Sequence, residues 1–191
     1  MSVRDWDVLL VGGASGTGKS SVSYRLARQF DAGITEIDDL HAAIVNVTTP
    51  EQLPLVHHWR THPEAQALDA EQIVDLLVAV SRAMAPAVRA VVAQHLESRT
   101  PLVLEGDYRL PDTVEVHPRV RTVFLYEDDE ARLLGNFAAR EPEVGPQVKR
   151  ARVGRLFGER LRDACQLQGV PALPARPWDT LLDRVCAAIA R

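Results

Sequence analysis

Short apolar runs alternate with longer amphipathic stretches along this chain. Val8-Leu9-Leu10-Val11 is continuously apolar and stops at Gly12-Gly13, which predicts a short strand buried on both faces. Behind it, Val22, Leu26 and Phe30 recur at helical spacing, so Lys19 to Phe30 reads as an amphipathic helix. Ile34 to Ile37 reads as a second strand and Leu102-Val103-Leu104, introduced by Pro101, as a third. Val120 to Tyr126 is a fourth, and Val170 to Leu173 a fifth. A last helix from about Trp178 to Ala190 gathers Leu181, Leu182, Val185 and Ile189 on one face. The longest periodic stretch carries Ile73, Leu76, Leu77, Val80, Met84, Val88, Val91 and Leu96, with Pro86 expected to kink or split it. Strands separated by helices imply an α/β chain: a five-stranded parallel sheet with helices on both faces. Ligands then bind beyond the carboxyl ends of the strands, so the residues that directly follow each strand are the ones to weigh for chemistry.

The residues that follow the first strand are the most informative. Gly13-Ala14-Ser15-Gly16-Thr17-Gly18-Lys19-Ser20 matches the phosphate-loop pattern G-x-x-x-x-G-K-[ST] in full, between a strand and a helix. Glycines let such a loop curl until its N–H groups form an anion nest, and the helix N-terminus adds positive potential. Lys19 is placed to reach the β- and γ-phosphates of a nucleotide, and the Ser20 hydroxyl to help hold Mg²⁺. Gly13, Ala14, Ser15, Gly16, Thr17, Gly18, Lys19, Ser20 and Ser21 are therefore the expected nucleotide-binding residues. The additional Gly16 gives the G-x-x-G-x-G-K-S form, a tighter variant that small-molecule and nucleotide kinases share.

Composition narrows the class further. At 191 residues the chain is one domain by size, with 46% apolar and 25% charged residues, an ordinary globular balance. Two cysteines, Cys165 and Cys186, exclude a disulfide framework or a four-cysteine zinc site and favour a reducing compartment. The opening Met-Ser-Val-Arg-Asp-Trp-Asp lacks the basic-then-apolar layout of a signal peptide, and no uninterrupted apolar stretch approaches a membrane span; a cytoplasmic setting without membrane partners is expected. A formal charge of -4 argues against nucleic acid as a partner. Among the 22 basic residues only Lys19 and Lys149 are lysines. That excess of arginine fits codon bias, as does the abundance of alanine, but it also suits planar clamping of phosphate, so each arginine is weighed by position. No Asp has a Gly three residues on, and no Asn/Thr-Lys-x-Asp occurs, which sets aside a GTPase switch. Large motor-type ATPases need more chain. A compact kinase remains.

Gly-Gly-Ala-Ser-Gly-Thr-Gly-Lys-Ser-Ser (12–21), Ile37-Asp38-Asp39-Leu40, and Leu104-Glu105-Gly106-Asp107 followed by Leu110-Pro111 resemble the P-loop kinases of the 2-phosphoglycerate kinase-like group. More distantly the chain is similar to chloramphenicol phosphotransferases and zeta-toxin kinases. The resemblance covers most of the chain as an order of motifs, and it implies the strand order 2-3-1-4-5 with a helical lid. It implies a single P-loop kinase domain over 1–191, with the lid at approximately 136–152 and an acceptor-side helical insert at approximately 40–98. ATP and Mg²⁺ are the implied cofactors, a hydroxyl of a small molecule the implied acceptor, and a monomer or homodimer the implied state. The stretch 46–66 matches no assigned motif.

On that reading Asp38, after the second strand, orients the acceptor hydroxyl or takes its proton, while Asp39 supports the acceptor or caps the helix near Leu40. Glu105 ends the third strand and joins Ser20 in organising the metal, or positions the acceptor. Asp107 and Arg109 follow it on the acceptor side, under a roof formed by His58, Trp59 and Arg60. Eight basic residues against three acids between Arg132 and Arg162 give the lid region a local charge of +5. Arg140 and Arg150 are the expected lid arginines at the transferring phosphoryl group; the alternative is a basic helix face neutralised by Glu127-Asp128-Asp129-Glu130. Arg176 and Pro177 follow the fifth strand, where the resembling kinases hold the base, with Pro177 in the first turn of the last helix. Two other functions stay open: a kinase of a nucleotide-sugar or a polynucleotide 5′ end, and a nucleotide-binding regulatory ATPase with a protein partner.

Overall fold

The computed structural model describes residues 4–113 and 116–190; the first three residues, part of the stretch read above for a leader, lie outside the described residues. Strands β1 (Val8–Gly13), β2 (Gly33–Glu36), β3 (Leu102–Gly106), β4 (Val120–Tyr126) and β5 (Ala172–Pro174) pair in parallel in the order β2-β3-β1-β4-β5. Helices α1 (Lys19–Phe30), α2 (Ile37–Val47), α3 (His58–Thr61), α4 (Ala70–Ser98), α5 (Glu130–Arg140), α6 (Val148–Gln168) and α7 (Leu181–Ile189) connect and cover them.

The central strand shows why this sequence builds a sandwiched sheet. Leu9 and Val11 pack with Val22, Leu26, Val185 and Ile189 of α1 and α7 on one face. Val8 and Leu10 pack with Val80, Met84, Val88 and Val92 of α4 on the other. All four strand residues are at most 1% exposed, and each buried side chain of this size contributes about 1.5–3 kcal/mol. An alternating strand would have left one face wet. The parallel register sets the strand ends level: Val11 lies beside Glu105, Gly12 beside Gly106, and Glu36 beside Glu105. The phosphate loop, Glu105 and the start of α2 therefore open onto one edge.

Several boundaries differ from the sequence reading. β2 ends at Glu36, so Ile37 is the first residue of α2 and its side chain turns into the core beneath the sheet edge. Asp38 and Asp39 then lie in the first helical turn; Glu36 occupies the N-cap position and no side chain caps it, which removes the capping role from Asp39. β5 begins at Ala172 because Val170 still hydrogen-bonds Cys165 at the end of α6. α7 starts at Leu181, so Pro177 precedes the helix rather than opening it. Pro86 does not split α4, which runs unbroken from its Asp69/Gln72 capping box to Ser98. By length and composition α4 could cross a membrane, yet its Val74, Val80, Met84, Val88 and Val92 are core residues. Its outer face is tied by Arg160 to Asp75 and by Arg82 to Asp112, as suits a core helix of a packed domain.

Candidate active site

The loop between β1 and α1 is shaped by its own backbone and by two aromatic side chains from distant elements. Thr17 Oγ1 donates to the Ala14 carbonyl at 2.9 Å, closing the curl. Gly18 has φ 81°, and a Cβ there would sit 2.5 Å from the Trp178 ring; Gly16 has φ 83°, and a Cβ there would meet the Phe137 ring at 2.9 Å. Both positions demand glycine twice over, for the left-handed backbone and for the ring pressed against it. Asn136 Nδ2 donates to the Gly16 carbonyl at 2.9 Å and ties α5 to the loop. Lys19 Nζ donates to the Ala14 carbonyl at 3.1 Å and forms an ion pair with Asp107. Ser20 Oγ donates to Glu105 Oε1 at 2.6 Å. Together these groups line a cavity of about 520 Å³, whose wall takes in Ser15 to Ser21, Asp38, Glu105, Gly106, Asp107, Arg140, Arg176 and Trp178.

The acids of this cavity sit in a strained electrostatic setting. Glu105 is 3% exposed, and burial raises its carboxyl above the usual range against the opposing pull of Lys19 and the Ser20 hydrogen bond. Asp38 is exposed at the mouth of the cavity. Partial desolvation against the cavity wall raises its carboxyl, Asp107 adds to the rise, and Lys19 works against it. Tyr108 is pushed up to about 12, first by burial and then by the charges of Asp38 and Asp107. A carboxyl whose folded-state pKa is raised stabilises the fold below its unfolded pKa and loses that contribution as pH rises through the folded value. Glu105→Gln, which removes the charge and keeps the hydrogen bond from Ser20, should therefore melt higher than the wild type at neutral pH. The difference should shrink as pH falls through the raised pKa; thermal melts across pH check it, and a Glu105→Gln variant that melts lower at pH 7 would contradict the electrostatic reading.

The structure brings together most of the residues singled out from sequence. Ser15, Gly16, Thr17, Gly18, Lys19, Ser20, Ser21, Asp38, Glu105, Asp107, Arg140 and Arg176 all line the cavity. Gly13 and Ala14 stand just behind it, Gly13 pressed against the Leu125 carbonyl and Ala14 buried. Pro177 lies beside the cavity between Arg176 and Trp178, which both face it. Asp39 is exposed and lies outside the cavity wall, as does Arg60 on α3. His58 and Trp59 are half-buried beside one another, with ring centroids 5.6 Å apart, and they too lie outside it. Arg109 is neither at the surface nor in the cavity. It is 2% exposed, its Nε and Nη2 are buried without a partner among the described residues, and burial brings its pKa down to about 10. Asn136, Phe137 and Trp178 also line the cavity although none was a candidate site residue; Asn136 and Phe137 fall at the start of the expected lid segment 136–152, in α5, and Trp178 follows β5 by four residues.

The eight basic residues of the lid region are sorted by their partners. Arg132 faces Asp129 at 3.3 Å, Arg155 faces Glu130 at 2.8 Å and Arg162 faces Asp128 at 3.1 Å, so the acidic run after β4 does neutralise part of the basic face. Arg152 and Arg160 reach Glu71 and Asp75 on α4, and Lys149 donates to the Gln66 carbonyl at 2.6 Å. Arg140 and Arg150 alone among them lie against the phosphate loop: Arg140 lines the cavity, and Arg150 Nη2 approaches Ser15 Oγ at 3.5 Å. Both guanidinium groups lie over the Phe137 ring, at 5.6 and 4.4 Å from its centroid.

No protein-family model matches the chain, and a comparison with curated proteins finds no match. Solved structures do match over nearly its whole length. A gluconokinase from Sinorhizobium meliloti 1021 is 23% identical with a TM-score of 0.56, the alignment covering 99% of this chain and 94% of that one. A sugar kinase from Janibacter sp. HTCC2649 is 18% identical with a TM-score of 0.52, covering 97% and 95%. A shikimate kinase from Bacteroides thetaiotaomicron is 14% identical with a TM-score of 0.52, covering 96% and 98%. The fold is that of the P-loop small-molecule kinases, with the strand order read from the motifs.

Proposed function

We propose that this protein is a phosphotransferase that uses ATP and Mg²⁺ to phosphorylate a hydroxyl of a small-molecule acceptor. The observation that carries this reading is convergence: the phosphate loop, two carboxylates from the ends of different strands and a lid arginine meet in one cavity. A loop that only gripped nucleotide would need neither Asp38 nor Arg140 at the same opening. The order of motifs that resembles the 2-phosphoglycerate kinase-like group, and the gluconokinase, sugar kinase and shikimate kinase among the similar folds, support an acceptor of metabolite size.

The residues divide the work by chemistry. The loop N–H groups and Lys19 bind the β- and γ-phosphates, and nucleotide entry exchanges the Lys19–Asp107 pair for phosphate oxygens. A hydroxyl and a buried carboxylate form an oxygen donor set suited to a hard cation, so Ser20 and Glu105 would hold Mg²⁺, which when bound neutralises phosphate charge. Asp38 accepts or orients the acceptor's hydroxyl proton. Asp107, beside it, is freed by the exchange to contact the acceptor. Arg140 and Arg150 on the segment 136–152 act as the lid that excludes water and neutralises the transferring group. Arg176 and Trp178 flank the loop on the far side, where the base lies in this reading.

A panel of sugars, sugar acids, polyols and hydroxylated antibiotics tests the proposal through ADP release. At least one compound should raise turnover well above the ATPase background. ATP binding with no stimulation by any of them would favour a regulatory ATPase instead. A polynucleotide 5′ end as acceptor would show steep loss of binding with the logarithm of salt, which a small neutral acceptor does not.

A further inference from the structure

Arg140 and Arg150 do not face the phosphate loop as two free cations. Glu141 Oε1 accepts from Arg140 Nε at 2.8 Å, and Glu141 Oε2 accepts from Arg150 Nη1 at 2.8 Å. Gln147 completes the ring: its Nε2 donates to Glu141 Oε2 at 3.2 Å, and its Oε1 accepts from Arg150 Nη1 at 2.8 Å. The Phe137 ring lies beneath both guanidinium groups and presses on Gly16. We propose that Glu141 is the positioning residue of the lid, one carboxylate bridging both arginines so that they converge on a single phosphoryl-sized anion at Ser15 and Gly16. The inference rests on the phosphotransferase reading above.

The physical case is preorganisation. Two guanidinium groups side by side repel, and each sits on a long stem whose rotamers must be surrendered when an anion is gripped. A shared carboxylate removes the repulsion and pays the ordering during folding. Its hydrogen bonds from Arg140 and Gln147 and the charge of Arg150 hold the Glu141 carboxyl below the usual range, so the bridge is anionic at neutral pH. The site is supported on both sides: α5 is tied to the loop through Asn136, and Lys149, next to Arg150, anchors the start of α6 on Gln66. Without the bridge the arginines keep their charge but lose their shared aim, and a misplacement of about 1 Å can cost roughly a hundredfold in stabilising a transferring group.

Calorimetry with ADP and Mg²⁺, with and without aluminium fluoride as a mimic of the transferring phosphoryl group, tests this directly. The wild type should bind ADP more tightly when aluminium fluoride is present. Glu141→Gln should bind ADP alone within about twofold of the wild type but lose about tenfold or more of the aluminium fluoride enhancement. Glu141→Asp should recover part of it, and adding Glu141→Gln to Arg150→Ala should cost little further. A full enhancement in Glu141→Gln, an equal loss of ADP binding, or no recovery by aspartate would each overturn the proposal. So would a wild type that binds ADP without any enhancement, whereas a wild type that binds neither ADP nor ATP would overturn the phosphotransferase reading as well.

Discussion

Lys19→Ala should lower the turnover number by about 10²–10³-fold, the scale on which a single preorganised charge at a reacting centre contributes. The ammonium group sits at the head of the loop between the Ala14 carbonyl and Asp107, and no second lysine or arginine touches that spot among the described residues. On the proposed reading its loss leaves the negative charge of the transferring group without its nearest cation. The variant should still fold. Asp107 is 27% exposed and can rehydrate, while Glu105 and Asp38 lose a favourable charge and can take up a proton instead, so the melt should fall modestly without loss of the fold. Steady-state kinetics beside a thermal melt separate the two effects. Unchanged turnover in a folded variant would mean that the phosphates do not lie where the loop geometry puts them.

Asp38→Asn should cut phosphoryl transfer by about 10²–10⁴-fold while leaving nucleotide affinity nearly intact. The side chain lines the cavity from the first turn of α2, opposite the loop, and makes no hydrogen bond to the phosphate cradle among the described residues. On the proposed reading it serves the acceptor, so its effect belongs in kcat rather than in ATP binding. The same carboxylate shapes the pH profile. Partial desolvation and Asp107 raise its pKa, so the base is lost by protonation at a higher pH than an ordinary aspartate would be. Turnover should fall on the acid side with an apparent pKa above the usual carboxylate range. The residual activity of the variant should have lost that limb; retention of the same limb would assign it to Glu105. Equal loss of nucleotide affinity and turnover would give Asp38 a structural or metal-binding role instead.

Both expectations come from residues that the sequence announces by position. A buried parallel strand is a run of consecutive apolar residues, an anion nest is eight consecutive residues, and a strand-end acid follows its strand directly. Backbone geometry over such short spans is dictated locally, and all five strands and the helix after the loop lie within two residues of their predicted places. The regions read less well are those whose role depends on what packs over them. Arg109 lies only two residues beyond Asp107 after the same strand, yet its side chain is buried while Asp107 reaches Lys19. Asp39 is adjacent to Asp38, but one step around a helix turns it out of the cavity. His58, Trp59 and Arg60 looked like a roof, and α3 sets them outside the cavity wall.

From its amino acids alone this chain declares a phosphate-binding loop between a buried strand and an amphipathic helix, and with it the sheet edge where chemistry can occur. Only folding decides which side chains share that edge. Lys19 meets Asp107 across 88 residues, Asn136 meets Gly16 across 120, and Arg150 reaches Ser15 across 135. Eight basic residues look equivalent in the lid region until α4 and the acids after β4 claim most of them, leaving Arg140 and Arg150 with Glu141 at the loop. Charge pairing is decided by distance in space, and sequence spacing reports that distance only within a single helix or strand.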